Sequence, residues 1–228
     1  MALIAKEGSS FEPAPEGVFP ARCIWVVDLG TQISDGIFGH SEKHQMYVNW
    51  ELVDESTVSA APLTIGAFFT VSLNPKGNLR PTLESWRGRA FTPEELKGFD
   101  IAKLINAPCL ISVKHQPKAD GSGIRAQVSG VMAPMKGQTI SPAREPSILI
   151  DLDEPNVHVK VEALPDWIKG KITSTPEWGK LMGFEVAPAA PPAPANTLNN
   201  TYKAMKEGAP APQPVAAGGD AFGDDIPF

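Results

Sequence analysis

His44-Gln-Met-Tyr-Val-Asn-Trp-Glu-Leu-Val53 alternates cleanly, with Met46, Val48, Trp50 and Leu52 on one side and Gln45 and Tyr47 on the other. A period of two marks a half-buried strand, because successive side chains leave a pleated backbone on opposite faces. Trp50 is then a core candidate and Tyr47 faces outward. Working back, Val18 to Gln32 is a β-branched and apolar run broken at Gly30, which reads as another strand. Working forward, Ala67-Phe-Phe-Thr-Val-Ser-Leu73 is a third. The stretch 34–42, rich in Gly and Ser, and the stretch 54–63 read as loops between them.

Further along, Asn74-Pro-Lys-Gly77 has turn chemistry, and Asn78 stands where it can cap a helix whose Leu79, Leu83 and Trp86 repeat at helical spacing. Thr92-Pro-Glu-Glu95 is a capping box with proline at the first helical position. Two more strands, Cys109 to Lys114 and Ile124 to Met132, flank the hairpin loop Gln116-Pro-Lys-Ala-Asp-Gly-Ser-Gly123. Three strands, a helical insert and two strands is the order of the five-stranded oligonucleotide-binding (OB) barrel, in which a helix lies between strands three and four. The expected fold is therefore mainly β, an OB barrel over residues 1–136; a small β-sandwich has the same strand order and stays open. Residues 137–184 form an expected C-terminal extension, with an extended segment at Ser147 to Asp153, a short amphipathic helix at Leu164 to Ile172, and Thr175-Pro-Glu-Trp178 after it. From 185 to 218 Ala, Pro and Asn dominate without hydrophobic period, the composition of a flexible linker, and 219–228 is an acidic tip.

The chain has 228 residues and a formal net charge of -6, which argues against a polyanion-binding role until its distribution is considered. Residues 103–144 carry +5, residues 76–89 carry +3, and residues 145–167 carry -5. A local basic field attracts phosphates even on an acidic chain. Cys23 and Cys109 each sit in an apolar strand and read as reduced core thiols of a cytosolic protein. The sequence has no apolar run of about 18 residues and no secretory leader pattern at Met1 to Ser10, so a protein that is neither membrane-spanning nor exported is expected.

The chain ends in Gly219-Asp-Ala-Phe-Gly-Asp-Asp-Ile-Pro-Phe228. Asp220, Asp224, Asp225 and the terminal carboxylate are acceptors on a tether, and Ile226 and Phe228 are too few to bury one another. Pro227 holds the last residues extended, which lowers the entropy lost when a partner captures them. This tip resembles that of bacterial and phage single-stranded DNA-binding proteins, whose tails end in Asp-Asp-Ile-Pro-Phe or a close variant. Leu83-Glu-Ser-Trp-Arg-Gly-Arg-Ala-Phe91 and Leu3-Ile-Ala-Lys6 resemble a family of phage-encoded replication proteins, over roughly residues 1–180. The resemblance implies sequence-independent binding of single-stranded DNA in the cytoplasm of a bacterial host. It also implies recruitment of replication and repair enzymes through Asp220, Asp224, Asp225, Ile226, Pro227 and Phe228, with no cofactor, no membrane and no catalysis. A homodimer or other homo-oligomer stays open.

Such binding needs aromatic faces for bases and Lys or Arg for phosphates. Tyr47 is the first stacking candidate. Trp25 shares parity with Cys23 and Val27 and is as much a core residue as a stacking one. Phe68 and Phe69 are adjacent, so only one points inward; Phe69 is the expected groove residue. The phosphate candidates are Lys76, Arg80, Arg87, Arg89, Lys114, Lys118, Arg125 and Lys136, with Trp86 read as a helix anchor. Two other readings compete. A metal-dependent nuclease would draw on Asp151, Asp153 and Glu154 or on His40, Glu42 and His44, but neither set has metal-ligand spacing on a regular element. A replication-initiation adaptor would act mainly through protein contacts. No Gly-x-x-x-x-Gly-Lys-Ser/Thr motif is present, which argues against a nucleotide-driven helicase.

Overall fold

The computed structural model describes residues 13–36, 39–56, 61–118 and 120–183. Its core is a sheet of six strands: β1 (Gly17–Gly36), β2 (Gly39–Ser56), β3 (Pro62–Thr70), β4 (Pro108–Pro117), β5 (Ile124–Met132) and β6 (Ile148–Ile150). The order is β3-β2-β1-β4-β5, all antiparallel, with β6 pairing parallel to β1. No ladder joins β3 to β5 among the described residues, so the sheet is open, although the two edge strands approach each other. Strands β1 and β2 run much further than alternation suggests: the expected loop at 34–42 is largely the tip of their hairpin, paired as far as Gly36 and Gly39. Strand β3 begins at Pro62, five residues before the expected start at Ala67, and β5 has the expected bounds.

The inner face of β2 delivers Met46, Val48, Trp50 and Leu52 to one core, as the alternation requires. Helix α1 (Leu79–Arg87) closes that core with Leu79, Leu83 and Trp86, and Trp86 Nε1 donates to the Pro108 carbonyl at 2.9 Å. Trp86 is thus the helix anchor, 5.8 Å from the Trp50 ring. Burying side chains of this size contributes about 1.5–3 kcal/mol each, so α1 is held by packing more than by its cap. Asn78 in fact gives no side-chain cap; its Nδ2 donates to the Phe68 carbonyl at 3.3 Å instead. The capping box does close, with Thr92 N donating to Glu95 and Glu95 N to Thr92 Oγ1, but it starts only a 3-10 turn at Glu95–Lys97. Cys23 and Cys109 are buried free thiols, and burial pushes both thiols up.

A second core lies on the outer face, and the extension builds it. Helices α2 (Val157–Glu162), α3 (Asp166–Thr173) and α4 (Pro176–Met182) pack Val157, Val161, Ile168, Ile172 and Trp178 onto Val27, Leu29 and Tyr47. Strand β1 can serve both cores because bulges at Ile24 and Leu29 shift its register. An extra residue reverses the facing of the side chains beyond it. Cys23 and Val27, read as sharing a face, therefore lie in different cores.

Two polar anchors, one half-buried and one fully buried, fix the return segment between β5 and β6. Arg22 donates to the carbonyls of Asn106, Ile140 and Ser141 at 2.7, 2.6 and 2.6 Å. Glu51, fully buried, accepts the backbone N–H of Arg144 at 2.9 Å and of Glu145 at 2.8 Å. A carboxylate out of water is tolerable only with such donors, so Glu51 and this segment position each other. At the far end, the Glu177 carboxylate accepts Thr31 N and Oγ1 at 3.1 and 2.5 Å, holding α4 on β1. No helix among the described residues is long and apolar enough to cross a membrane.

Candidate functional site

Two hollows run along the gap between β3 and β5. One, of about 520 Å³, is lined by Gly66 to Phe69, by Asn78 and Thr82, and by Arg125 to Val131. The other, of about 610 Å³, is lined by Trp25, Tyr47, Asn49, Gly66, Lys118, Arg125 and Trp167. They share Gly66, Arg125 and Ala126, so they adjoin along this edge and together make up the channel side of the sheet. The β4–β5 loop supplies Lys118 at its mouth, and Asp120 shapes that loop by accepting Ser122 N and Oγ at 2.9 and 2.7 Å. Neither Lys118 nor Arg125 forms an ion pair with a described carboxylate.

Where the hollow meets α3, three rings gather. Tyr47 lies 5.1 Å from both Phe68 and Trp167. Tyr47 is on the outward face, as its parity requires, yet that face is covered here and only 9% of the residue is exposed. Its outward position is thus no guarantee of solvent. Burial pushes its phenol up to about 12. Phe68 and Trp167 are the open rings, 43% and 50% exposed. Lys171 Nζ sits 5.3 Å from the Phe68 ring centre. Flat π-surfaces beside uncompensated cations can stack planar ligands and pair with anions.

The structure brings together Trp25, Tyr47, Lys118 and Arg125 of the expected residues. Phe69 is corrected: it pairs with Met46 in register, turns into the inner core beside Trp50, and is 6% exposed, so its neighbour Phe68 takes the outer place. Arg80, Arg87 and Arg89 lie elsewhere, around α1, and are already engaged. Arg80 pairs with Glu84 at 3.0 Å, while Arg87 and Arg89 both pair with Glu95. Arg87 also stacks 4.4 Å from the Phe91 ring. Gly88, at φ 68°, ends α1 in the left-handed region and brings Arg89 round to the same carboxylate. Lys76, Lys114 and Lys136 are exposed but line neither hollow. The tip residues Asp220 to Phe228 lie outside the described residues.

Phe68, Trp167 and Lys171 are not among the residues expected from sequence, though two signals point at them. Leu63, Ile65 and Phe69 share one parity of β3, which leaves Phe68 on the other. Ile168 and Ile172 mark the buried stripe of α3, with Trp167 and Lys171 four apart on its flank. The acids weighed for a nuclease have local partners: Asp151 accepts Asp153 N, Glu154 holds Lys160, His40 meets Glu42, and His44 meets Asp28 at 2.6 Å. Among the described residues no three of His, Cys, Asp or Glu gather as metal ligands. No protein-family model matches the chain, and no curated protein matches it either.

Proposed function

We propose that this chain binds single-stranded DNA without regard to sequence, on an OB barrel whose β3–β5 edge is left unlaced, and serves DNA replication, recombination and repair in a bacterial cytoplasm. The observation that carries the reading is the channel along that edge, with exposed rings at one end and, on its wall, two cations that no described carboxylate meets at ion-pair distance. Strand order and the helix between β3 and β4 support the barrel; OB folds bind oligonucleotides on strands two and three and the loops around them, where Tyr47, Phe68 and Lys118 stand. A phage-type single-stranded DNA-binding protein fits this surface and the acidic tip together. The tip is the docking element for replication and repair enzymes, and no catalysis is assigned.

The test is a titration of the full chain with oligo-dT, followed by tryptophan fluorescence and by anisotropy of a labelled oligonucleotide. Quenching, with a midpoint that rises steeply with salt, is the expected result. Flat signals in dilute buffer overturn it. For the tip, deletion of Asp220 to Phe228 removes capture of replication enzymes from a host lysate while DNA binding persists; unchanged capture refutes the docking role.

A further inference from the structure

The three rings do more than share a neighbourhood. Phe68 and Trp167 stand 6.4 Å apart at 76°, forming a corner, and Tyr47 is its buried floor, tilted 50° to one and 88° to the other. Packing does not require that Trp167 be exposed, because Ile168 and Ile172, both fully buried, already fasten α3 to the sheet. Two large apolar rings on elements nearly a hundred residues apart, converging in water, mark a binding surface. Tyr47 reaches its place only because residue 66 has no side chain: a Cβ built on Gly66 would fall within the Tyr47 ring and hydroxyl. Charge then selects the ligand, since Lys171 lies against Phe68 and Arg125 lines both hollows that leave the corner.

We infer that Phe68 of β3 and Trp167 of α3 form one stacking subsite for an unpaired nucleobase, with Tyr47 as the positioning residue that sets the angle between them. The flanking phosphates run past Lys171 and Arg125. This rests on the single-stranded DNA reading and adds to it a share in binding for the C-terminal helices, which supply half of the subsite.

Of the five tryptophans, Trp50, Trp86 and Trp178 are buried and Trp25 is partly so, leaving Trp167 as the one a stacked base quenches most. The full chain is titrated with labelled oligo-dT, affinity being read by anisotropy and stacking by fluorescence. Trp167→Ala and Phe68→Ala each weaken binding roughly ten- to hundredfold, the worth of one stacked base, with unchanged circular dichroism. Trp167→Phe keeps the affinity within a few-fold but loses most of the quench. Tyr47→Phe, which keeps the ring, behaves as wild type, whereas Tyr47→Leu weakens binding as Phe68→Ala does. If the wild-type chain binds and both alanine variants bind equally well, the subsite is refuted and DNA binding stands. If the wild-type chain does not bind in dilute buffer, the function falls and the subsite with it. Should an alanine variant fail to fold, Trp167→Phe decides alone, since an undiminished quench overturns the subsite.

Discussion

The α1 end and the β3–β5 channel are made of the same ingredients, arginines beside aromatic rings, and they come out opposite in character. At α1, Arg87 and Arg89 converge on Glu95, and Arg87 is folded against Phe91 and Phe99. In the channel, no described carboxylate pairs with Arg125 or Lys118 at ion-pair distance, Lys118 acting only electrostatically on Asp120, and Phe68 and Trp167 are 43% and 50% exposed. A carboxylate within reach turns a basic cluster into a brace. Its absence leaves a cluster available to an external anion.

The largest effect expected from this contrast is on stability. Leu83→Ala under α1 and Ile168→Ala under α3 each remove a fully buried side chain and cost about 2–5 kcal/mol. Urea unfolding measures both. Only Ile168→Ala also weakens oligo-dT binding in the folded fraction, because it loosens the helix that carries Trp167; equal weakening by Leu83→Ala breaks the comparison.

Next come the cations. Replacing Lys118 and Arg125 together by alanine lowers affinity roughly tenfold or more and flattens the slope of log affinity against log salt by about 1.4, as loss of two phosphate contacts on a single strand does. Replacing Arg87 and Arg89 leaves that slope alone and lowers the melting temperature. A flattened slope in the second variant would show that the brace opens to bind.

Acid separates the two ends as well. The hydrogen bond from Arg89, with those from Thr92 and Arg87, holds the Glu95 carboxyl down to about 2 from an ordinary 4.5. The folded value is below the unfolded one, so this stabilisation is present above the ordinary carboxylate range and drains away as pH falls toward 2. Urea midpoints taken through that window drop more for the wild type than for Glu95→Gln; parallel curves would sink the brace.

The smallest effect is alkaline. Because burial raises Tyr47 to about 12, its neutral form is favoured by folding, and its contribution is whole below the ordinary phenol value of 10.0 and lost as pH rises toward 12. The difference in phenolate absorbance between wild type and Tyr47→Phe shows the step; ionisation near pH 10.0 would mean the ring is not covered.

Features that the chain declares locally are legible in its sequence. The alternation of β2, the bounds of β5, the capping box and the anchoring role of Trp86 all come from spacing within a dozen residues. Alternation places Tyr47 on the correct face but does not show its cover, because that cover arrives from Trp167, far along the chain. Phe69 is misassigned because a β3 begun at Ala67 leaves out Leu63 and Ile65, whose parity settles it. Arg87 and Arg89 look free in the sequence because Glu95 reaches them only through the turn at Gly88, whereas the Arg80 pair with Glu84 is a helical i,i+4 spacing. The bulges in β1 leave no periodic trace, so parity could not assign Trp25 to the channel wall where it stands.

Glu51 has a consequence for how the protein is made. Its carboxylate is buried in the second half of β2 with its backbone donors at Arg144 and Glu145, more than ninety residues later. On a ribosome the first strands emerge long before those donors exist, so Glu51 cannot yet be buried with its partners and the apolar outer surface of β1 stays uncovered. Completion is therefore a late step in synthesis, and a chain stalled short of Glu145 is a natural client for chaperones.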